Sequence, residues 1–164
     1  MPSKQIIVQR FSVTSSKSFQ EVVSRLDTAV GHPDMRTFRG EIVAAKNYSE
    51  VDRIVTKAIG TSGFMEFLRI DLGEFLRKET GTGKPRILRL IVGNPLIMKQ
   101  MVEHVPDAGS YAPVTILVDE RTDGVHLSYD SMASFLSSYG SPEAIRVAQD
   151  LDSKVEALLM AAAK

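Results

Sequence analysis

The stretch R-I-L-R-L-I-V-G-N-P (86–95), followed after a short amphipathic segment by A-P-V-T-I-L-V-D-E-R-T-D-G-V-H-L-S-Y-D (112–130), holds the densest apolar content of the chain. Ile87 to Val92 is apolar on both faces apart from Arg89, the pattern of a central strand covered on two sides. Gly93-Asn94-Pro95 then opens a helix, because asparagine suits the N-cap and proline the first helical position. Leu96, Ile97, Met101, Val102 and Val105 give that helix its buried side, and Pro106 stops it. Val114–Glu120 and Val125–Tyr129 read as a β-hairpin, with Arg121-Thr122-Asp123-Gly124 as the loop and Gly124 where a positive φ is useful. In that register Glu120 faces Val125, Asp119 faces His126 and Ile116 faces Tyr129. The side chains then sort cleanly. Val114, Ile116, Val118, Val125, Leu127 and Tyr129 share one face; Thr115, Leu117, Asp119, His126, Ser128 and Asp130 share the other.

Upstream, Gln5 to Val13 alternates and reads as a strand, with Ile7, Phe11 and Val13 on one face. Ser15-Ser16-Lys17 is a turn, and Ser18-Phe19-Gln20-Glu21 has the form of a capping box. Phe19, Val22, Val23, Leu26 and Val30 follow helical spacing up to Gly31-His32-Pro33, where glycine can take a left-handed cap and proline ends the helix. Thr37 to Ala45 reads as a second strand with Phe38, Ile42 and Ala44 on one face. A helix with Val51, Ile54, Val55, Ala58 and Ile59 follows. Phe64 to Leu72 reads as a strand, although Phe64, Phe67, Leu68, Leu72, Phe75 and Leu76 also suit a helix. Thr80 to Pro85 is a loop. Downstream, Asp130 caps a short helix over 131–138. Ser141-Pro142-Glu143 starts the last helix, whose stripe is Ile145, Ala148, Leu151, Val155, Leu158 and Leu159. The order predicts an α+β fold, a mostly antiparallel sheet packed by helices, in one domain over 1–164.

The bulk properties exclude several classes. The chain has no cysteine, so thiolate chemistry and disulfides are absent. Twenty Lys and Arg balance twenty Asp and Glu, which argues against nucleic acid as a partner, since phosphate binding draws on a basic excess. No apolar run approaches the ~20 residues of a membrane span, and Met1 to Val13 has no signal-peptide core. The expected setting is cytoplasmic.

The pieces S-F-Q-E-V-V-S-R-L from Ser18, R-L-I-V-G-N-P from Arg89, A-P-V-T-I-L-V-D-E from Ala112, D-G-V-H-L-S-Y-D from Asp123 and K-V-E-A-L-L from Lys154 together resemble the DUF302 family, a domain of unknown function. The resemblance implies a small α+β sandwich of the TBP-like type, ordered β-α-β…β-α-β-β-α, and supplies no reaction. Against it, residues 46–85 read as an insertion adding a helix and a strand. The family often has a histidine near the end of the second strand, where this chain has E-I-V-A-A-K (41–46).

Candidate chemistry is sparse. Asp119, His126 and Ser128 share a face, but a Ser-His-Asp hydrolase needs the hydroxyl within hydrogen-bond reach of the imidazole. Cβ atoms two apart on one strand stand ~7 Å apart, and there is no G-x-S-x-G elbow; a polar hairpin face with a cross-strand pair accounts for them. Gly81-x-Gly83-Lys84 lacks the spacing of a phosphate loop. His32, His104 and His126 show no metal-ligand spacing, so no metal ligand is assigned and any cofactor is unknown. Asn94, Tyr111 and Tyr129 fall near strand ends and loops, where polar groups would orient a ligand in an apolar cleft. The leading expectation is a non-catalytic domain that binds a small, mainly apolar molecule between sheet and helices. The alternative is a structural module that self-associates, for instance as a homodimer, through its sheet face or last helix. The third is a hydrolase or isomerase using His126 with Asp119.

Overall fold

The computed structural model describes residues 3–164. Five strands form one antiparallel sheet: β1 (Arg10–Ser15), β2 (Met65–Asp71), β3 (Ile87–Gly93), β4 (Val114–Arg121) and β5 (Gly124–Asp130), in the order β1-β5-β4-β3-β2. The helices are α1 (Phe19–Ala29), α2 (Met35–Ala44), α3 (Tyr48–Ala58), α4 (Gly73–Thr80), α5 (Pro95–Val102), α6 (Met132–Leu136) and α7 (Pro142–Ala163). The α+β class read from the sequence is therefore the observed one.

The hairpin folds in the expected register, with Asp119 opposite His126 and Ile116 opposite Tyr129. Pairing continues through Arg121 and Gly124 (φ 139°), so the turn proper is shorter than the loop read from sequence. The inner face of the sheet carries Leu88, Leu90, Val92, Val114, Ile116, Val118, Val125 and Leu127, all buried. Onto it pack Phe19, Val22 and Leu26 of α1, Met101 of α5, and Ala148, Leu151, Val155 and Leu159 of α7. At about 25 cal/mol per Å² of apolar surface removed from water, this layer is the main source of stability. A satellite cluster of Phe38, Val55 and Met65 seats α2 and α3 against the start of β2.

Because antiparallel partners share a face, the register also fixes the opposite face of the sheet. One row there runs Leu68, Ile91, Thr115, with Asp130 and Arg10 paired farther along the same face; the next runs Ile70, Arg89, Leu117, Ser128, Ser12; the third runs Ile87, Asp119, His126, Thr14. Arg10, Ser12, Thr14, Leu68 and Arg89 in these rows are exposed.

Several expectations are corrected. Thr37–Ala45 is not a strand: Met35–Ala44 is helix α2, N-capped by the Asp34 side chain, which accepts from the Thr37 amide at 2.8 Å. Phe38 and Ile42 lie four apart, a spacing that satisfies both a strand of period two and a helix of period 3.6. The first strand begins at Arg10 rather than Gln5 and runs through Ser15. Leu72 lies outside β2, and Phe75 and Leu76 belong to the separate helix α4. Gly31 takes no left-handed cap, since Val30 is the C-cap in an extended conformation. Gly31 instead crosses Gly60 closely: a Cβ on Gly31 would stand 2.0 Å from the Ala58 carbonyl oxygen. Both glycine amides donate to the Phe64 carbonyl at 2.9 Å, which ties the ends of α1 and α3 to the entry of β2.

Candidate functional site

A cleft of about 640 Å³ lies on the outer face of the sheet. Its floor is Ile91, Thr115, Leu117 and Ser128, two apolar side chains and two hydroxyls held in place by the cross-strand rows just described. One wall comes from outside the sheet. Tyr111, in the loop before β4, stacks on Phe135 of α6 with ring centroids 4.5 Å apart and planes at 7°. The Tyr111 hydroxyl bonds that of Tyr139 at 2.8 Å. This bond, then burial, pushes the Tyr139 phenol up to about 12, and Lys4 stands 3.5 Å over the Tyr139 ring.

Three charged side chains line the cleft: Arg10, Arg89 and Asp130. Arg10 grips Asp130 through Nε and Nη2 at 2.6 and 2.9 Å, which holds the Arg10 guanidinium above its ordinary pKa. Among the described residues Arg89 has no carboxylate partner, and its one side-chain hydrogen bond is to Thr115 Oγ1 at 3.5 Å.

Between the layers there is much less room. A crevice of about 110 Å³ lies among Phe67, Pro95, Met98, Met101, Pro113 and Leu151. Asn94 borders it, but both ends of its side chain are engaged: Oδ1 accepts from the Leu96 amide at 2.9 Å and Nδ2 donates to the Gly63 carbonyl at 3.0 Å. It is the N-cap expected of it.

The six candidate residues read from sequence are thus divided. Tyr111 and Ser128 meet at the cleft. Tyr129 contributes only its β5 position there: its ring is in the core, and its hydroxyl donates to Asp152 at 2.6 Å and accepts from the Met132 amide. Burial, then the Asp152 charge, raises that phenol well above its usual range. Asp119 is turned to Arg121, and His126 bonds Asp123 through Nε2 at 2.8 Å while Nδ1 lies 3.4 Å from Thr14 Oγ1. The strands oppose Asp119 and His126, but their side chains bond other partners. His126 in turn holds the Asp123 carboxyl below its ordinary range.

Two constellations escaped the sequence reading. Phe135 gives no sign in the linear order that it meets Tyr111. Asp27, His32 and Glu66 also converge, with ligand-type atoms within 4.8 Å of one another. Arg69 already spans that group, donating from Nε and Nη2 to Glu66 at 3.0 and 2.7 Å and from Nη2 to Asp27. Its guanidinium supplies the positive charge, and the Glu66 bond, foremost, raises its pKa. The cluster pins α1 to the edge strand β2.

The family model for the domain of unknown function DUF302 matches residues 40–162. No curated protein matches the chain. Among solved structures, an uncharacterised conserved DUF302 protein from Bacillus stearothermophilus is similar in fold, with a TM-score of 0.65 at 15% identity, over 93% of this chain and 97% of that one. No helix among the described residues is long and apolar enough to cross a membrane.

Proposed function

We propose that this chain, which belongs to the DUF302 family, is a binding domain for a small, mainly apolar molecule, seated in the cleft on the outer face of the sheet. The observation that carries this reading is the stacked Tyr111–Phe135 pair standing over a floor of Ile91 and Leu117. A cleft of about 640 Å³ falls within the roughly 300–1,000 Å³ of small-molecule sites, which combine apolar walls with a few fixed polar groups. The crevice between the layers, at about 110 Å³, is below that range, so the proposed seat is the outer face rather than the space between sheet and helices. No proton-transfer group is needed, and Asp119 and His126 are committed to other partners. The test is the melting temperature of the full chain with 2-naphthalenemethanol, since a ligand of the native state raises it. A rise that Tyr111→Ala reduces and Met98→Ala leaves intact supports the cleft. No rise, or a rise lost only with Met98→Ala, contradicts it.

A specific observation favours a second reading, self-association with another copy of this chain. Leu68 on the edge strand β2 is 53% exposed and Phe75 on α4 is 75% exposed, with Leu72 and Leu76 beside them in sequence also exposed. Exposed apolar patches of this kind mark interaction surfaces. Sedimentation over a concentration series decides it: an oligomer dispersed by Phe75→Lys supports this reading, and a monomer throughout rejects it.

A further inference from the structure

We infer that the cleft selects an amphipathic monocarboxylate, its carboxylate held by Arg89 and its apolar body lying on Leu117 and Ile91 toward the Tyr111–Phe135 wall. This rests on the reading of the cleft as a small-molecule site and adds the chemistry of its ligand. The charge balance carries the argument. Of the three charged groups lining the cleft, Arg10 and Asp130 neutralise each other through two short hydrogen bonds. Arg89 remains, one positive charge with no carboxylate partner among the described residues. Its one side-chain hydrogen bond among the described residues, to Thr115 Oγ1, is at the 3.5 Å limit, so most of its five N–H donors have no protein acceptor there.

A guanidinium presents a planar fork that fits a carboxylate with two parallel bonds. Arg89 stands mid-sheet on β3, directly opposite Leu117 of β4 and one row from Ile91. The anion site and the apolar floor are therefore contiguous. The Thr115 and Ser128 hydroxyls lie on the same floor, and the Ser128 hydroxyl has no protein partner among the described hydrogen bonds. One free positive charge matches one negative charge. A phosphate monoester brings nearly two, and an ammonium finds its only carboxylate, Asp130, already occupied.

The test uses the full chain and four probes with one aromatic body: 2-naphthoate, 2-naphthalenemethanol, 2-naphthyl phosphate and 2-naphthylmethylammonium, titrated calorimetrically. The expected result is that naphthoate binds about 10-fold or more tightly than the alcohol, the discrimination typical of a charge-assisted hydrogen bond. Arg89→Met should abolish that advantage, bringing the ratio of naphthoate to alcohol affinity to about one, with the melting temperature unchanged. Arg89→Lys should keep part of it. Equal binding of alcohol and carboxylate, with no effect of Arg89→Met, overturns the carboxylate inference and leaves the cleft reading standing. Preference for the phosphate or the ammonium also overturns it. If none of the four probes binds the folded protein, the cleft reading fails and the inference falls with it.

Discussion

Asp152 is an acidic residue on α7, 8% exposed, that accepts four hydrogen bonds: from the Tyr129 and Ser131 hydroxyls at 2.6 Å, and from the Met132 and Ala133 amides at 2.7 and 3.1 Å. It thereby caps α6 from another helix and anchors the end of β5, which positions Phe135 at the cleft. Removing it leaves the Tyr129 and Ser131 hydroxyls and the Ala133 amide without their acceptor, and the Met132 amide with the Tyr129 hydroxyl alone. Asp152→Ala should therefore cost on the order of 3 kcal/mol in urea denaturation, and Tyr129→Phe about 1 kcal/mol. The two changes touch one network, so the double variant should lose less than the sum. Tyr129 also sets an alkaline limit. Its folded-state pKa is raised, so the folded chain holds a proton that the unfolded chain releases near pH 10. That stability is present below about pH 10 and is lost above it, and Tyr129→Phe should shift alkaline unfolding upward.

At the scale of elements, legibility followed how local the determining contact is. The hairpin was readable because period-two alternation and Gly124 act within a dozen residues, and the pairs Asp119–His126 and Ile116–Tyr129 are found as expected. Asn94-Pro95 was readable for the same reason. Helix α2 was not, because Phe38 and Ile42 fit both periods and the Asp34 cap was the only discriminating sign. Gly31 looked like a helix cap and proved to be a crossing point with Gly60, a contact across residues far apart in sequence. The Tyr111–Phe135 wall and the Arg69 cluster are likewise non-local. The glycines then separate by prediction. Gly31→Ala and Gly60→Ala drive a Cβ into backbone at 2.0 and 2.3 Å and should each cost about 3 kcal/mol or more. Gly40, inside α2, has nothing within 4 Å of an added Cβ, so Gly40→Ala should stabilise by about 0.5–1 kcal/mol. Chemical denaturation midpoints of the three variants check this ordering.

Over the whole molecule, the formal charge is zero, yet the carboxylates are individually well placed. Glu21 and Asp34 cap helices through Ser18 and Thr37, Asp71 pairs with Arg77, Glu103 with Lys99, and Glu120 with Arg86; each is held below its ordinary pKa. A lowered folded-state pKa means the unfolded chain binds more protons on acidification, so stability is present above the unfolded carboxylate range and falls as pH drops below it. Stability should be flat from neutral pH to about pH 5 and decline steeply below about pH 4. Denaturation midpoints across that range measure it, and a maximum on the acid side would contradict these pairings. Among the described residues, the same balance leaves Arg89 as the cation of the outer cleft with no carboxylate partner, where the proposed small molecule would sit. The most direct measurement is an amide NMR titration of the full chain with 2-naphthoate. Saturable shifts centred on Arg89, Thr115, Leu117 and Ser128 are expected. Shifts centred instead on Met98, Met101 and Leu151, or none at saturating probe, would contradict the proposed seat.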